Sequence, residues 1–313
     1  MAAVTRNDLN GGVLQTYLYP QVLENLRTKL YFWNLGEKPI APSGYNTLSW
    51  ATFTKLVQSD VTKGSTSTDG TTPSDTAFNA SVITCTPFQL RIVVNIADMT
   101  YKLNRINFLQ GAAKEVGDAM AERVDYEIQA VVMAGTKYKY TSSTHTTRNT
   151  LAAGDECAWS YVKMAYALLK ANGVPTFDAD AYAGVLHPYV TNDLMADSTS
   201  KPNWVDPSTY TTPDKIWNGE IGKFLGVRFV ESGYVQTLAS NVYPTLIFGR
   251  GAYGVADFDS LEVYKTGGVA SDSDPLAQRH KVGAKIAFNS VILDNNRMIR
   301  LESYSAGVTL SSS

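Results

Sequence analysis

From Asn107 to Ala134 the chain keeps a helical rhythm for longer than anywhere else in its length. Leu109, Ala113, Val116, Met120, Val124, Ile128 and Val131 recur at steps of three and four residues. Gln110, Lys114, Asp118, Glu122, Asp125 and Gln129 follow the same steps on the opposite side. This pattern predicts an amphipathic helix about 40 Å long at ~1.5 Å rise per residue, with Gly135 as its stop. Such a helix must cover one long apolar stripe. The stripe spans only three or four heptads and mixes small with large side chains. That favours a helix lying across a sheet over a coiled-coil seam.

What surrounds this helix is mostly β-prone. Before it, Tyr45–Val57 carries the β-formers Trp50, Phe53 and Val57. The stretch Thr62–Thr76 is mostly Ser, Thr, Gly and Asp, with Pro73 its one apolar side chain, and cannot bury enough to fix itself in place. Apolar β-formers return at Phe78, Val82 and Ile83 and continue through Leu90 to Ile96. Two β-rich arms around a polar tip read as one long hairpin. Further upstream, Pro20 opens a short helix whose face is Val22, Leu23, Leu26 and Leu30. It ends in Tyr31-Phe32-Trp33, and Gly36, Pro39 and Pro42 stop it.

After the long helix, Tyr138–Thr150 is polar and β-prone, and a second helix runs from an Asp155 cap to Asn172-Gly173. Then come a strand at Tyr182–Leu186, a helix at Pro188–Ala196, a Pro-bearing loop leading to a short helix near Ile216, and strands at Gly226–Glu231 and Pro244–Phe248. Near the end, Val282, Ala284, Ile286 and Phe288 alternate with smaller or polar residues. Asp294-Asn295-Asn296 supplies a turn, and Arg297–Ser303 runs back as the second arm of a closing hairpin. No regular βαβ repeat appears, so the fold class is α+β.

The net charge is −2, without a basic tail or a Lys/Arg run, so any nucleic-acid contact should be weak and non-specific. No apolar run approaches membrane-spanning length, and the first residues carry no signal-peptide pattern. Cys85 and Cys157 are distant from each other and read as free buried thiols of a reducing compartment.

Motifs for chemistry are thin. Gly249-Arg250-Gly251-Ala252-Tyr253-Gly254 matches G-x-G-x-x-G after a strand-like run. A dinucleotide site also needs a helix starting within the glycines, and Val255–Asp259 lacks a helical pattern. Gly249, Gly251 and Gly254 therefore read as a tight turn. His145, His187 and His280 are far apart and fit no local metal pattern. The pairs Asp257/Asp259 and Asp272/Asp274 read as solvated turn carboxylates, and Asn79-Ala80-Ser81 as a chance sequon. No catalytic, cofactor-binding or metal residue is assigned, and no cofactor is expected.

The order of parts resembles the major capsid proteins of tailed bacteriophages with the Hong Kong 97-type fold. Local stretches resemble a short-tailed-phage subgroup: Leu186-His187-Pro188-Tyr189, the run from Gly219 to Phe229, Phe248–Gly254, and Asp274–Arg279. The resemblance implies an N-terminal arm (1–47), an extended β-hairpin loop (48–98), a peripheral domain (99–177) with a spine helix at 107–134, an axial domain (178–281), a closing peripheral hairpin (282–304) and a loose tail (305–313). It implies a structural protein, not an enzyme. Hexamers and pentamers of it would form an icosahedral shell around double-stranded DNA, assembled in the bacterial host cytoplasm. Portal, scaffold and decoration proteins are the further partners the family implies. Some relatives join a loop lysine to a neighbour's asparagine; Lys55 and Lys63, with Asn289, Asn295 and Asn296, are the residue types in the corresponding regions. A tail or sheath component is the alternative among virion proteins. A nucleotide-binding enzyme built on Gly249, Gly251 and Gly254 is the alternative outside them.

Overall fold

The computed structural model describes residues 31–39, 46–53, 75–98, 108–177, 181–197, 220–224, 226–267 and 274–307, with positions 56, 61, 72 and 270 between them. The expected helix at 22–30, most of the polar hairpin tip, the short helix near Ile216 and the end of the tail lie outside the described residues.

The predicted long helix is present as α2, Phe108–Met133. Ala113, Val116, Met120, Val124 and Ile128 are buried, as the periodicity requires, and Ala121 and Val132 widen the stripe. Asp125 and Gln129, assigned to the polar side, are buried as well. The helix is covered from a second direction by the short helix α1, Tyr31–Leu35, whose Phe32 enters the same core. A one-sided amphipathic reading cannot foresee that second cover.

Beneath α2 lies a three-stranded antiparallel sheet. It is built from β3 (Phe88–Ala97), β10 (Arg279–Ile292) and β9 (Tyr253–Gly267), with β10 in the middle. The register pairs Phe88 with Phe288, Leu90 with Ile286, Ile92 with Ala284 and Val94 with Val282. Equal-facing apolar residues are thus stacked across the strands, and this face packs against α2.

This pairing corrects the expected hairpin. The second arm is two strands, not one. β1 (Leu48–Phe53) pairs only with β2 (Ala80–Cys85), and β3 leaves for β10. The break falls at Thr86-Pro87, where proline has no amide to continue a ladder.

The second sheet has six strands in the order β4-β11-β8-β5-β7-β6. They are β4 (Tyr138–Tyr140), β5 (Tyr182–Leu186), β6 (Glu220–Phe224), β7 (Val227–Glu231), β8 (Val242–Phe248) and β11 (Met298–Tyr304). Successive residues of its central strands alternate between two cores. Ala183, Val185, Leu246, Phe248 and Met298 join the α2 core. Tyr182, Leu186, Ile247, Ile299 and Leu301 join a second core under α3 (Trp159–Ala171) and α4 (Pro188–Ala196).

The closing hairpin is also corrected. β10 and β11 do not pair with each other. β11 inserts between β4 and β8. Its first six residues are all buried, whereas β10 alternates in exposure. A continuously buried strand needs both faces and both edges covered, which only an interior position supplies. Asp294 turns the chain between them by capping the 3-10 turn Asn295–Arg297.

The expected Asp155 cap is replaced. α3 begins at Trp159, whose amide donates to Asp197 Oδ2 at 3.2 Å, so the end of α4 caps α3. Asp155 instead accepts from the Ala152 amide at 3.1 Å and holds His145.

Candidate assembly surface

The β1–β2 hairpin is the part of the described molecule least covered by the rest. Its register opposes Trp50 to Ile83 and Phe53 to Ala80, and the Thr52 and Ser81 hydroxyls bond across it at 2.7 Å. Phe53 stacks on Phe78 with ring centres 5.4 Å apart, yet the two are 65% and 58% exposed. Val82 is 62% exposed, and Leu56 and Val61 beyond β1 are exposed too. Large apolar side chains gathered on one exposed element mark an interaction surface.

The root of the hairpin, in contrast, is fixed. A Cβ at Gly254 would meet the Trp50 ring at 2.7 Å, so only glycine lets Trp50 lie flat on β9. Asn289 Nδ2 donates to the Thr86 carbonyl at 2.5 Å, tying the β2–β3 break to β10. Between this root and the turns at 172–175 and 293–297 lies a cleft of about 710 Å³, with Glu37, Asp294 and Arg297 among its lining residues.

The glycine motif sits here, and each glycine has a structural reason. Gly251 has φ +72°, which an L side chain resists. A Cβ at Gly249 would meet the Pro175 carbonyl at 2.5 Å. Gly254 accommodates Trp50. The element after the motif is β9, an extended strand, where a pyrophosphate site needs a helix N-terminus.

The histidines are held apart. His187 Nδ1 accepts from the Tyr189 amide at 3.2 Å and caps α4; burial lowers its pKa. His280 Nε2 lies 3.2 Å from Asp98. His145 Nδ1 lies 2.6 Å from Asp155 Oδ2, with Ser142 Oγ 3.4 Å from the same nitrogen. Serine and carboxylate thus share one ring atom, so the imidazole cannot relay a proton from one to the other as a catalytic triad does. The Asp155 carboxyl is held below its usual range by bonds from Ser142, Ala152 and His145, which outweigh its burial.

Among the described residues no three His, Cys, Asp or Glu side chains gather as a metal group, and no helix is long and apolar enough to cross a membrane. Asp257 is raised in pKa by burial and faces Lys38. Asp274 accepts from the Gln278 and Arg279 amides, while Asp272 lies outside the described residues. Cys85 and Cys157 are free and buried, and burial pushes the thiols up to about 11 and about 12. Lys55 and Lys63 lie outside the described residues. Asn289 and Asn295 are engaged within the chain, Asn295 Oδ1 accepting from the Thr136 amide at 3.0 Å.

Two buried charged arrangements had no local signature. Glu302 on β11 has no side-chain exposure. It receives Arg148 Nε and Nη2 at 2.6 and 2.9 Å and Arg300 Nε at 2.7 Å. Asp125 on α2 accepts from the Phe32 amide at 3.0 Å.

No family model matches the chain, and no curated protein matches it. Solved structures do. The capsid of Ralstonia phage GP4 superposes with a TM-score of 0.67 at 14% identity, over 90% of this chain and 93% of that one. The capsid of cyanophage P-SCSP1u gives 0.63 at 16% identity, over 89% of both chains. The fold extends to the holo-SrpI encapsulin complex of Synechococcus elongatus PCC 7942, at 0.55 and 11% identity over 92% of both chains. A spine helix across a three-stranded sheet, a hairpin projecting from its edge and a six-stranded second sheet make this the Hong Kong 97-type capsid fold.

Proposed function

We propose that the chain is a major capsid protein that self-assembles as hexamers and pentamers into the icosahedral shell enclosing the double-stranded DNA of a tailed bacteriophage. The observation that carries this reading is the match in fold over nine tenths of both chains with phage capsid subunits. The exposed apolar hairpin on a well-packed body supports it: such a surface gains burial only from another molecule. The role is structural and non-enzymatic, and the near-neutral charge suits a wall that encloses DNA with weak contact.

In this reading 1–47 is the N-terminal arm and 48–98 the extended loop, whose last strand, β3, joins the wall. The peripheral wall is α2 with β3, β9 and β10. The axial unit is the six-stranded sheet with α3 and α4, so 178–281 gives β9 to the wall and receives β4 and β11. Portal, scaffold and decoration proteins are partners in the same proposal, and assembly occurs in the host cytoplasm, with the virion as destination.

Expression of the full chain followed by negative-stain microscopy tests the proposal. Closed shells of uniform diameter are expected. Rings or helical tubes would favour a tail or sheath component. Micromolar binding of nicotinamide dinucleotide lost in Gly251→Val would favour an enzyme. Deleting 61–76 should leave a folded subunit by circular dichroism that fails to form full-size shells in sedimentation; full-size shells from the deletion would contradict the role given to the loop.

A further inference from the structure

Asp125 is a carboxylate inside a hydrophobic core. It sits in the middle of α2, 6% exposed, flanked on its helix by the fully buried Val124 and Ile128. Among the described residues, its hydrogen bonds come from backbone amides, and the Tyr253 phenol lies near it. The Phe32 amide donates to Oδ1 at 3.0 Å, and the Tyr31 amide also bonds to the carboxyl. Both amides belong to α1 and spend their hydrogen bonds on this carboxyl. From the other side, Tyr253 Oη donates to the Phe32 carbonyl at 2.6 Å, and the Phe32 ring stacks toward Phe248. α1 is thus held by this carboxylate, the Tyr253 phenol and the Phe32 ring, with Trp33 edge-on to Phe288, Leu35 on the same core and Glu37 bridged to β9 just beyond it.

We infer that Asp125 is a proton-linked latch for α1: the docked position of this short helix tightens as the medium acidifies and loosens as it becomes alkaline. The geometry supplies the linkage. With α1 docked, the carboxylate is sealed from water. With α1 lifted, it is hydrated and returns to an ordinary carboxylic acid. Burial pushes the docked carboxyl up to about 7 from 3.8, and the two amide bonds oppose that rise without cancelling it. The docked form therefore holds more protons than the lifted form. Its advantage is full below about 4 and is lost as pH rises through 7.

The other ionisable groups around the latch do not set this window. On β9, Tyr253 is fully buried, and both burial and Asp125 raise its pKa, so it stays neutral throughout. On the segment after α1, Glu37 lies by Gly251 and Lys38 faces Asp257. On α2 itself, Arg123 and Glu127 pair with each other.

Hydrogen exchange on the full chain tests the inference. Rates at residues 31–35 are read at pH 5, 6, 7 and 8, corrected for intrinsic chemistry, and normalised to amides of β8. Between pH 8 and pH 5 the docked population should gain roughly tenfold to a hundredfold in protection. Asp125→Asn keeps an acceptor oxygen for the Phe32 amide but cannot ionise, so its normalised protection should be flat in pH. Wild-type protection that does not change with pH overturns the inference, whether or not the variant folds. A variant that keeps the full wild-type slope overturns it as well. The outcome is independent of shell formation, because exchange is read within one chain.

Discussion

Replacing Glu302 with Gln should cost the subunit about 3 kcal/mol while leaving its shape unchanged. Glu302 has no exposed side-chain surface and accepts three short bonds, two from the Arg148 fork and one from Arg300. Glutamine fills the same space but presents an amide donor where two guanidinium groups also donate. Arg300 is the group that suffers, since its side chain is 8% exposed and water cannot replace the lost charge. Removing one partner of a buried pair costs ~3–5 kcal/mol. The lower end applies because Arg148, 36% exposed, can turn to solvent. With unfolding entropy of ~2.1 cal/mol/K per residue over a chain of 313 residues, that cost lowers the melting temperature by roughly 4–5 °C. Differential scanning calorimetry reads it directly. The control is Glu262→Gln, which breaks an exposed pair with Lys285 and should give no resolvable shift. A Glu302→Gln melt within 1 °C of the parent, or equal shifts for both variants, would refute the claim that burial gives this network its weight.

Val124→Asp places a carboxylate at a position with no exposure and no spare donor, and should abolish soluble expression. Gly254→Val should push Trp50 off β9, cost about 2 kcal/mol, and red-shift the tryptophan emission as the indole is wetted. His187 accepts an amide bond only when neutral, and burial lowers its pKa from 6.5. Its contribution is therefore present above pH 6.5 and lost as pH falls through the lower folded value. His187→Asn caps without titrating, so the melting difference between pH 7.5 and 5.5 should shrink in that variant.

What was legible in the sequence was what is local. The spine helix, α4 and the strands at 182–186 and 244–248 follow from periodicity, turn residues and the Pro188 start. The resemblance of local stretches to phage capsid proteins pointed to the fold the structure has. Pairing was not legible, because it depends on partners far along the chain. Nothing in Phe88–Ala97 says that its partner is residues 279–288 and not the arm just before it; the Phe88–Phe288 and Leu90–Ile286 matches decide that. The run at Arg297–Ser303 read as a strand, but proximity to β10 suggested a hairpin. The buried charges were invisible for a related reason. Asp125 occupies a polar step of an amphipathic helix, and only α1 docking on that side turns it inward. Glu302 meets Arg148 across 154 positions of sequence. The absence of a helix after Gly249–Gly254 was foreseeable from Val255–Asp259, and the strand that follows bears it out.

The division of labour between body and hairpin follows from where apolar surface is spent. In the body, both faces of the six-stranded sheet are covered, one by α2 and the β3–β10–β9 layer, the other by α3 and α4. The two cores described there are closed by contacts within the chain. The hairpin differs: a two-stranded ribbon is marginal alone in water, and Phe53, Phe78 and Val82 remain mostly exposed after all intrachain contacts are made. Burying one such side chain contributes about 1.5–3 kcal/mol, so these three offer several kcal/mol per subunit that the isolated chain cannot collect. The root pinned by Trp50 and Asn289 limits the directions in which that surface can be presented. Amides at the outer end of the ribbon, Ala51–Phe53 and Ala80–Val82, should therefore exchange freely in the dispersed chain and become protected on assembly. Protection of that outer end already present in a dilute monomer would mean that its apolar face has found cover on its own body, and the reading as a shell subunit would lose its physical basis.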